Sequence, residues 1–206
     1  MTTNKKHWYD GTFYDKIIAP NQDGAFKIAK DIIKEQSSVL DVGCGTGRLA
    51  FKLTDKCKYI DGIDLSEKNI KVAKRNLQQT PLKNISFFHS DAETFLSVNR
   101  NQYDYAVLSY VIHEIDEPDR VPLLKLLADK VKEIIVVDFL VPRPNGYLNT
   151  INGMVELAAG REHYNNFKSF IFNDGLHGLE KQSGLKITKD ISKPPKTAHI
   201  VVFENR

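Results

Sequence analysis

The chain has 206 residues, 41% hydrophobic and 27% charged, which suits one globular domain with a full core. Its formal net charge is only +3 and its basic residues form no block, so no nucleic-acid partner is expected. Two cysteines, Cys44 and Cys57, make no disulfide framework and fit no zinc motif. No apolar run reaches membrane-spanning length and the start from Met1 to Tyr14 has no apolar signal core, so a cytoplasmic protein without stable membrane insertion is expected.

Residues 21–36 carry Phe26, Ile28, Ala29, Ile32 and Ile33 at helical spacing, so 1–36 reads as an N-terminal cap segment and a first helix. Residues 39–42 form a short apolar run before a glycine cluster, which reads as a buried strand, and 47–55 as the helix that follows. A second strand is expected over 59–65, with Ser66 capping a helix over 67–79 that Pro81 closes. Residues 84–89 read as a third strand, 91–96 as a short helix, and 103–109 as a fourth strand. A helix centred on 121–131 and a β-branched fifth strand over 133–141 follow, ended by Pro142 and Pro144. The last two strands are expected over 185–191 and 199–204, around Lys193, Pro194 and Pro195.

Strands alternating with helices predict a mostly parallel sheet with helices on both faces. The last connection is too short for a helical crossover, so one of the final two strands is expected to be antiparallel. Residues 142–184 are too long for a structureless connection. Their helical patterning at 149–159 and 164–172 predicts a helical lid inserted between the fifth and sixth strands. No linker divides the chain, so residues 1–206 are read as one domain.

The strongest motif is Val39-Leu40-Asp41-Val42-Gly43-Cys44-Gly45-Thr46-Gly47-Arg48. Glycines at 43, 45 and 47 let the backbone approach a ligand closely, and the helix start behind them offers free N–H groups. A dinucleotide fingerprint would place its third glycine at position 48, where this chain has Arg48. Asp64, at the tip of the second strand, can accept hydrogen bonds from both hydroxyls of a ribose, and Leu65 can pack on a base. Asp61 lies earlier in the strand and is the weaker candidate. Asp91, at the third tip, can accept from an exocyclic amine while the next N–H, of Ala92, donates to a ring nitrogen. Asp91 can equally be a plain helix cap. Ser109, Tyr110, His113 and Glu114 follow the fourth strand, at the end where open α/β sheets hold ligands.

With these motifs the chain resembles the class I S-adenosylmethionine (SAM)-dependent methyltransferases. The resemblance covers roughly residues 38–141 and, more loosely, the last two strands. It implies a Rossmann-like, doubly wound α/β fold of seven strands, closed by an antiparallel strand near the C-terminus. It implies SAM as cofactor and S-adenosylhomocysteine as product. Asp41, Gly43 and Gly45 take the methionyl part, Asp64 the ribose and Asp91 the adenine amine; Cys44, Leu65, Ala92 and Ser109 complete the expected cofactor contacts. The stretch Val111-Ile112-His113-Glu114 is similar to small-molecule methyltransferases that act on quinone precursors.

Methyl transfer from a sulfonium is an in-line displacement, and a base is needed only when the nucleophile must lose a proton. His113 is the candidate base and Tyr110 a second catalytic candidate. Tyr9, Tyr14, His113, Glu114 and Tyr164 are candidate substrate contacts, with Arg161, Glu162 and His163 as further polar groups. Tyr164, Phe167 and Phe170 recur at helical spacing, which fits either a core stripe or an aromatic lid. No His/Asp/Glu grouping in the sequence argues for a metal.

The expected activity is methyl transfer to a small-molecule acceptor through an oxygen, nitrogen or carbon nucleophile, by a monomer or homodimer. The alternatives are a SAM-binding sensor or scaffold without turnover, and an RNA or protein methyltransferase. Leu108-Ser109-Tyr110-Val111 stands where enzymes modifying base amines carry Asp- or Asn-Pro-Pro-aromatic, which disfavours that chemistry.

Overall fold

The computed structural model describes residues 22–143, 157, 160–192 and 197–204. The elements in chain order are α1 (Asp23–Ile32), β1 (Ser38–Val42), α2 (Arg48–Leu53), β2 (Tyr59–Asp64), α3 (Glu67–Gln78), β3 (Ile85–His89) and α4 (Ala92–Val98). They continue with β4 (Tyr103–Ser109), α5 (Glu117–Ala128), β5 (Val131–Phe139), α6 (Arg161–Phe172), α7 (Gly175–Ser183), β6 (Lys186–Ile191) and β7 (Ala198–Glu204).

The seven strands form one sheet in the order β3-β2-β1-β4-β5-β7-β6. β3, β2, β1, β4 and β5 pair in parallel, and β7 runs antiparallel to both β5 and β6. The expected seven-stranded sheet with one reversed strand is therefore present, and the reversed strand is β7. β1, β4 and β5 are central and covered on both faces, which is why they read as continuous apolar runs.

Alternate residues feed two cores, one on each face of the sheet. Leu40, Val42, Leu108, Ile134, Val136 and Val201 belong to one cluster, with Leu124, Phe167, Phe170, Leu176 and Leu179 from α5, α6 and α7. Val39, Val107, Ile135, Val137 and Ile200 belong to the other, with Ala25, Phe26 and Ala29 of α1, Leu49 of α2 and Ile70 of α3.

Two boundaries differ from the sequence expectation. α5 begins at Glu117 and β5 at Val131, so both lie earlier than the pattern implied. Pro118 falls in the first turn of α5, where its missing N–H costs nothing. α7 was not expected as a separate helix, because Gly175 and Gly178 depress helix propensity. Leu176 and Leu179 nevertheless bury themselves on the sheet and hold it there. The predicted N-terminal cap over 1–21 lies outside the described residues, as does all of 149–159 except Leu157. Among the described residues, no helix is long and apolar enough to cross a membrane.

Candidate active site

A cavity of about 770 Å³ opens at the C-terminal ends of β1, β2 and β4. Its floor is the glycine turn. Gly43, Gly45 and Gly47 have φ of 71°, 55° and 86°, a region that side-chain-bearing residues avoid. A Cβ on Gly43 would lie 2.4 Å from Val111, whereas one on Gly45 would meet nothing within 4 Å. Gly43 is thus required by packing, and Gly45 leaves open space.

Asp64 ties this turn to β2. Its carboxylate accepts from the Gly45 N–H at 2.8 Å and the Ser66 N–H at 2.7 Å, one on each oxygen. A carboxylate oxygen can accept more than one hydrogen bond, so these contacts do not stop Asp64 from also accepting from a ligand hydroxyl. Asp91 caps α4, accepting from the Thr94 N–H and the Thr94 hydroxyl, both at 2.8 Å. Partial burial raises its pKa, but these donors outweigh that and the net shift is downward. The capping role is therefore real, and Asp91 also lines the cavity.

Gly43, Cys44, Gly45, Asp64, Leu65, Asp91, Ala92 and Ser109 all line this cavity. Asp41 does not. It sits fully buried behind the turn, on the face of β1 that carries Val39, and neither carboxylate oxygen makes a hydrogen bond of good geometry, the Ala50 backbone N–H being the one donor among the described residues that acts on it. Burial, then the nearby Asp64 charge, pushes its carboxyl up from the ordinary 3.8 to about 7. Burial first, then the charges of Asp41 and Asp64, pushes the Cys44 thiol well above its ordinary 9.0, so Cys44 is no thiolate nucleophile.

The opposite end of the cavity lies beyond β4, between α5 and α6. Tyr110, Val111, Glu114, Asp116, Asp119, Glu162, His163 and Asn166 line it with Leu123 and Leu126. Tyr110 adopts φ of 56°, an uncommon conformation for a bulky residue. Burial, then Asp138, raises its hydroxyl further, so Tyr110 stays protonated and cannot act as a base near neutral pH.

His113 is held behind this wall. Its Nδ1 lies 2.7 Å from Oδ1 of Asp138, and its backbone N–H donates to Oδ2 at 3.2 Å. A carboxylate only accepts, so the proton sits on Nδ1 and Nε2 is the basic nitrogen. Nε2 lies 3.9 Å from Oε1 of Glu114, and Nε2 of His163 lies 3.7 Å from the same oxygen. The rings of Phe139, Phe167 and Phe170 pack edge-on around His113. His113 itself is buried and is not part of the cavity wall, whereas Glu114 and His163 are.

Other placements differ from the sequence reading. Phe167 and Phe170 are core residues, so this stripe is packing and not an aromatic lid. Tyr164 packs partly buried against the same core, with Nζ of Lys168 5.5 Å from its ring centroid, and it does not line the cavity. Tyr9 and Tyr14 lie outside the described residues.

Asp138, Asn166 and Arg120 were not anticipated. Asn166 donates to the Glu114 carbonyl at 2.9 Å and to Asp116 at 2.7 Å, fastening α6 to the loop after β4. Arg120, 2% exposed, donates to the Ile115 and Asn166 carbonyls and to the Ser169 hydroxyl. The absence of a metal-type grouping also needs correction. The fold brings His113, Glu114 and His163 together, and separately His177, Asp190 and His199. Their separations along the chain match no ligand motif, so spacing carried no signal.

Residues 39–133 match the family described as "Methyltransferase domain". Magnesium protoporphyrin IX methyltransferase from Synechocystis PCC 6803, solved with bound SAH, superposes with a TM-score of 0.63 at 17% identity, covering 96% of this chain and 89% of that one. This chain has the class I SAM-dependent methyltransferase fold. The N-methyltransferase NodS from Bradyrhizobium japonicum, in complex with S-adenosyl-L-homocysteine, superposes with a TM-score of 0.62 at 16% identity over 93% of this chain and 89% of that one. Ubiquinone biosynthesis O-methyltransferase of Nitrosospira multiformis is 27% identical over 158 residues, 74% of this chain and 64% of the relative. Ribosomal protein L11 methyltransferase of Caldanaerobacter subterraneus is 33% identical over 99 residues, 47% of this chain and 31% of the relative. The chain thus spans less than two thirds of these curated relatives.

Proposed function

We propose that this chain binds SAM in the cavity and transfers its methyl group to a small molecule through a hydroxyl nucleophile. The observation that carries the reading is one cavity with two unlike ends. A glycine turn tied to Asp64 stands at one end, and a Glu114–His163 wall backed by the His113–Asp138 pair stands at the other.

The residues fit the cofactor. The open space at Gly45 admits a close ligand, and Asp64 and Asp91 place carboxylates at two strand tips. Asp64 would hold ribose hydroxyls and Asp91 an exocyclic amine, with Leu65 and Ala92 against the base. The acid-rich wall suits a ligand carrying an ammonium and a sulfonium. When bound, SAM supplies a methyl group already activated by the positive sulfur.

The chain's task at the other end is to orient the acceptor and take its proton. The His113–Glu114–His163 group is the proton-accepting unit. Asp138 fixes the tautomer and orientation of His113, as a buried carboxylate does for a catalytic imidazole. A neutral amine acceptor would have little use for such a unit, which is why a hydroxyl is favoured. Glu114, Asp116, Asp119 and Glu162 make the wall acidic, favouring a neutral or cationic acceptor over an anionic one. α6 supplies His163 and Asn166 and in this reading shields the acceptor from water.

The test is turnover of SAM with a panel of neutral, cationic and anionic hydroxylated acceptors, comparing wild type with Asp138→Asn and His113→Gln. Both variants are expected to bind SAM within threefold of wild type and to lose about 100-fold or more in kcat. Turnover with unchanged kcat in both variants would remove the proton-accepting role. SAM binding with no turnover of any acceptor would favour a sensor.

A further inference from the structure

The second histidine grouping lies away from the cavity, where α7, β6 and β7 meet. His177 comes from the first turn of α7, Asp190 from β6 and His199 from β7. Nε2 of His177 is 2.7 Å from Oδ2 of Asp190, and Nε2 of His199 is 2.8 Å from Oδ1 of the same carboxylate. The three ligand atoms all lie within 4.8 Å of one another. The two imidazole rings meet at 62° with centroids 5.0 Å apart, so they converge on one point instead of stacking.

We infer that His177, Asp190 and His199 form a binding site for a borderline-soft divalent cation of the zinc type. Two imidazole nitrogens and one carboxylate oxygen are a zinc, cobalt or nickel donor set, and a poor one for magnesium or calcium. Bonds of 2.0–2.2 Å in tetrahedral geometry set donors roughly 3.3 Å apart. Reaching that spacing needs His177 and Asp190 to draw back by about half an ångström. Both can, because their side chains are 38% and 44% exposed, while His199 at 2% is the fixed ligand. Solvent reaches the exposed side and supplies water for the remaining position. Each Nε2–Asp190 contact holds one proton; as Nε2 takes the metal, a neutral imidazole carries that proton on Nδ1 instead and an imidazolium gives it up to solvent.

The site has a structural consequence. In the β5–β7 ladder His199 stands opposite Asp138, so the two share a face of the sheet. A cation there fastens the start of α7, and with it the end of α6, to the strand pair beside the Asp138–His113 contact. The role is to hold the insertion on the sheet, with no part in the chemistry.

The test is titration of the whole, metal-stripped protein with Co²⁺ followed by visible absorption, and with Zn²⁺ followed by thermal unfolding. Wild type and His163→Ala are expected to bind one Co²⁺ with tetrahedral-type absorption and to gain on the order of 5 °C in Tm at saturating Zn²⁺. His177→Ala and Asp190→Asn are expected to keep the wild-type circular dichroism and lose both responses. Wild type without absorption or Tm gain would overturn the inference. So would responses that survive in His177→Ala and Asp190→Asn, or that vanish in His163→Ala, which would move the metal to the cavity. None of these outcomes depends on SAM binding or turnover.

Discussion

Asp41 offers the sharpest physical test, because its cost to the fold follows chiefly from burial, with the Asp64 charge adding to it. It is fully buried with no well-formed hydrogen bond, and burial and the Asp64 charge outweigh the Ala50 N–H to push its carboxyl from 3.8 to about 7. The folded state therefore holds the proton more tightly than the unfolded chain. Such a group favours folding fully below its unfolded pKa, and that advantage is lost as pH rises through its folded pKa. A rise of this size corresponds to roughly 4 kcal/mol, of which about 2 kcal/mol is lost between pH 5.5 and 8. Asp41→Asn keeps the shape and removes the titration. Urea unfolding of wild type and variant at matched pH isolates Asp41 and the groups its charge touches, because titrations not coupled to it cancel in the difference. The stability of Asp41→Asn relative to wild type is expected to rise by about 2 kcal/mol from pH 5.5 to 8. A difference that stays flat across this range, or falls, would refute the reasoning.

Three further predictions concern the turn and its anchor. Gly43→Ala drives a Cβ to 2.4 Å from Val111 at a φ of 71°, so a stability loss of about 2–3 kcal/mol is expected in urea unfolding. Gly45→Ala meets nothing within 4 Å but has a φ of 55°; it is expected to cost about 1–2 kcal/mol in stability and to weaken SAM binding at least tenfold by calorimetry. Asp64→Ala removes the acceptor for the Gly45 and Ser66 N–H groups as well as the proposed ribose acceptor, so a loss of 100-fold or more in SAM affinity is expected, with unfolding reporting about 1–2 kcal/mol.

The sheet was legible in the sequence because its strands are short apolar runs punctuated by glycine, proline and capping residues. Ser66 does cap α3, accepting from the Asn69 N–H. The glycine-turn end of the cavity was legible for a related reason: the glycine turn, Asp64 and Asp91 each sit at the end of a strand that periodicity locates. Asp41 was misplaced, since a residue at the end of a buried strand can face the core behind the ligand as readily as the ligand. The opposite end of the cavity was hidden. His113, Asp138 and His163 come from the loop after β4, from β5 and from α6, and only the folded sheet brings them together. Phe167 and Phe170 showed a helical stripe, but periodicity does not say whether a stripe faces a core or a ligand. α7 was obscured by Gly175 and Gly178; a Cβ at Gly178 would lie 1.7 Å from the Asn173 carbonyl oxygen, so packing demands what propensity penalises.

The most direct measurement is calorimetry of the protein with SAM, with S-adenosylhomocysteine and with NAD. Binding of the first two with one site per chain, abolished or severely weakened in Asp64→Ala, and no heat with NAD, is the predicted result. Binding of NAD, or no binding of SAM and S-adenosylhomocysteine to the folded wild type, would contradict the account at its centre.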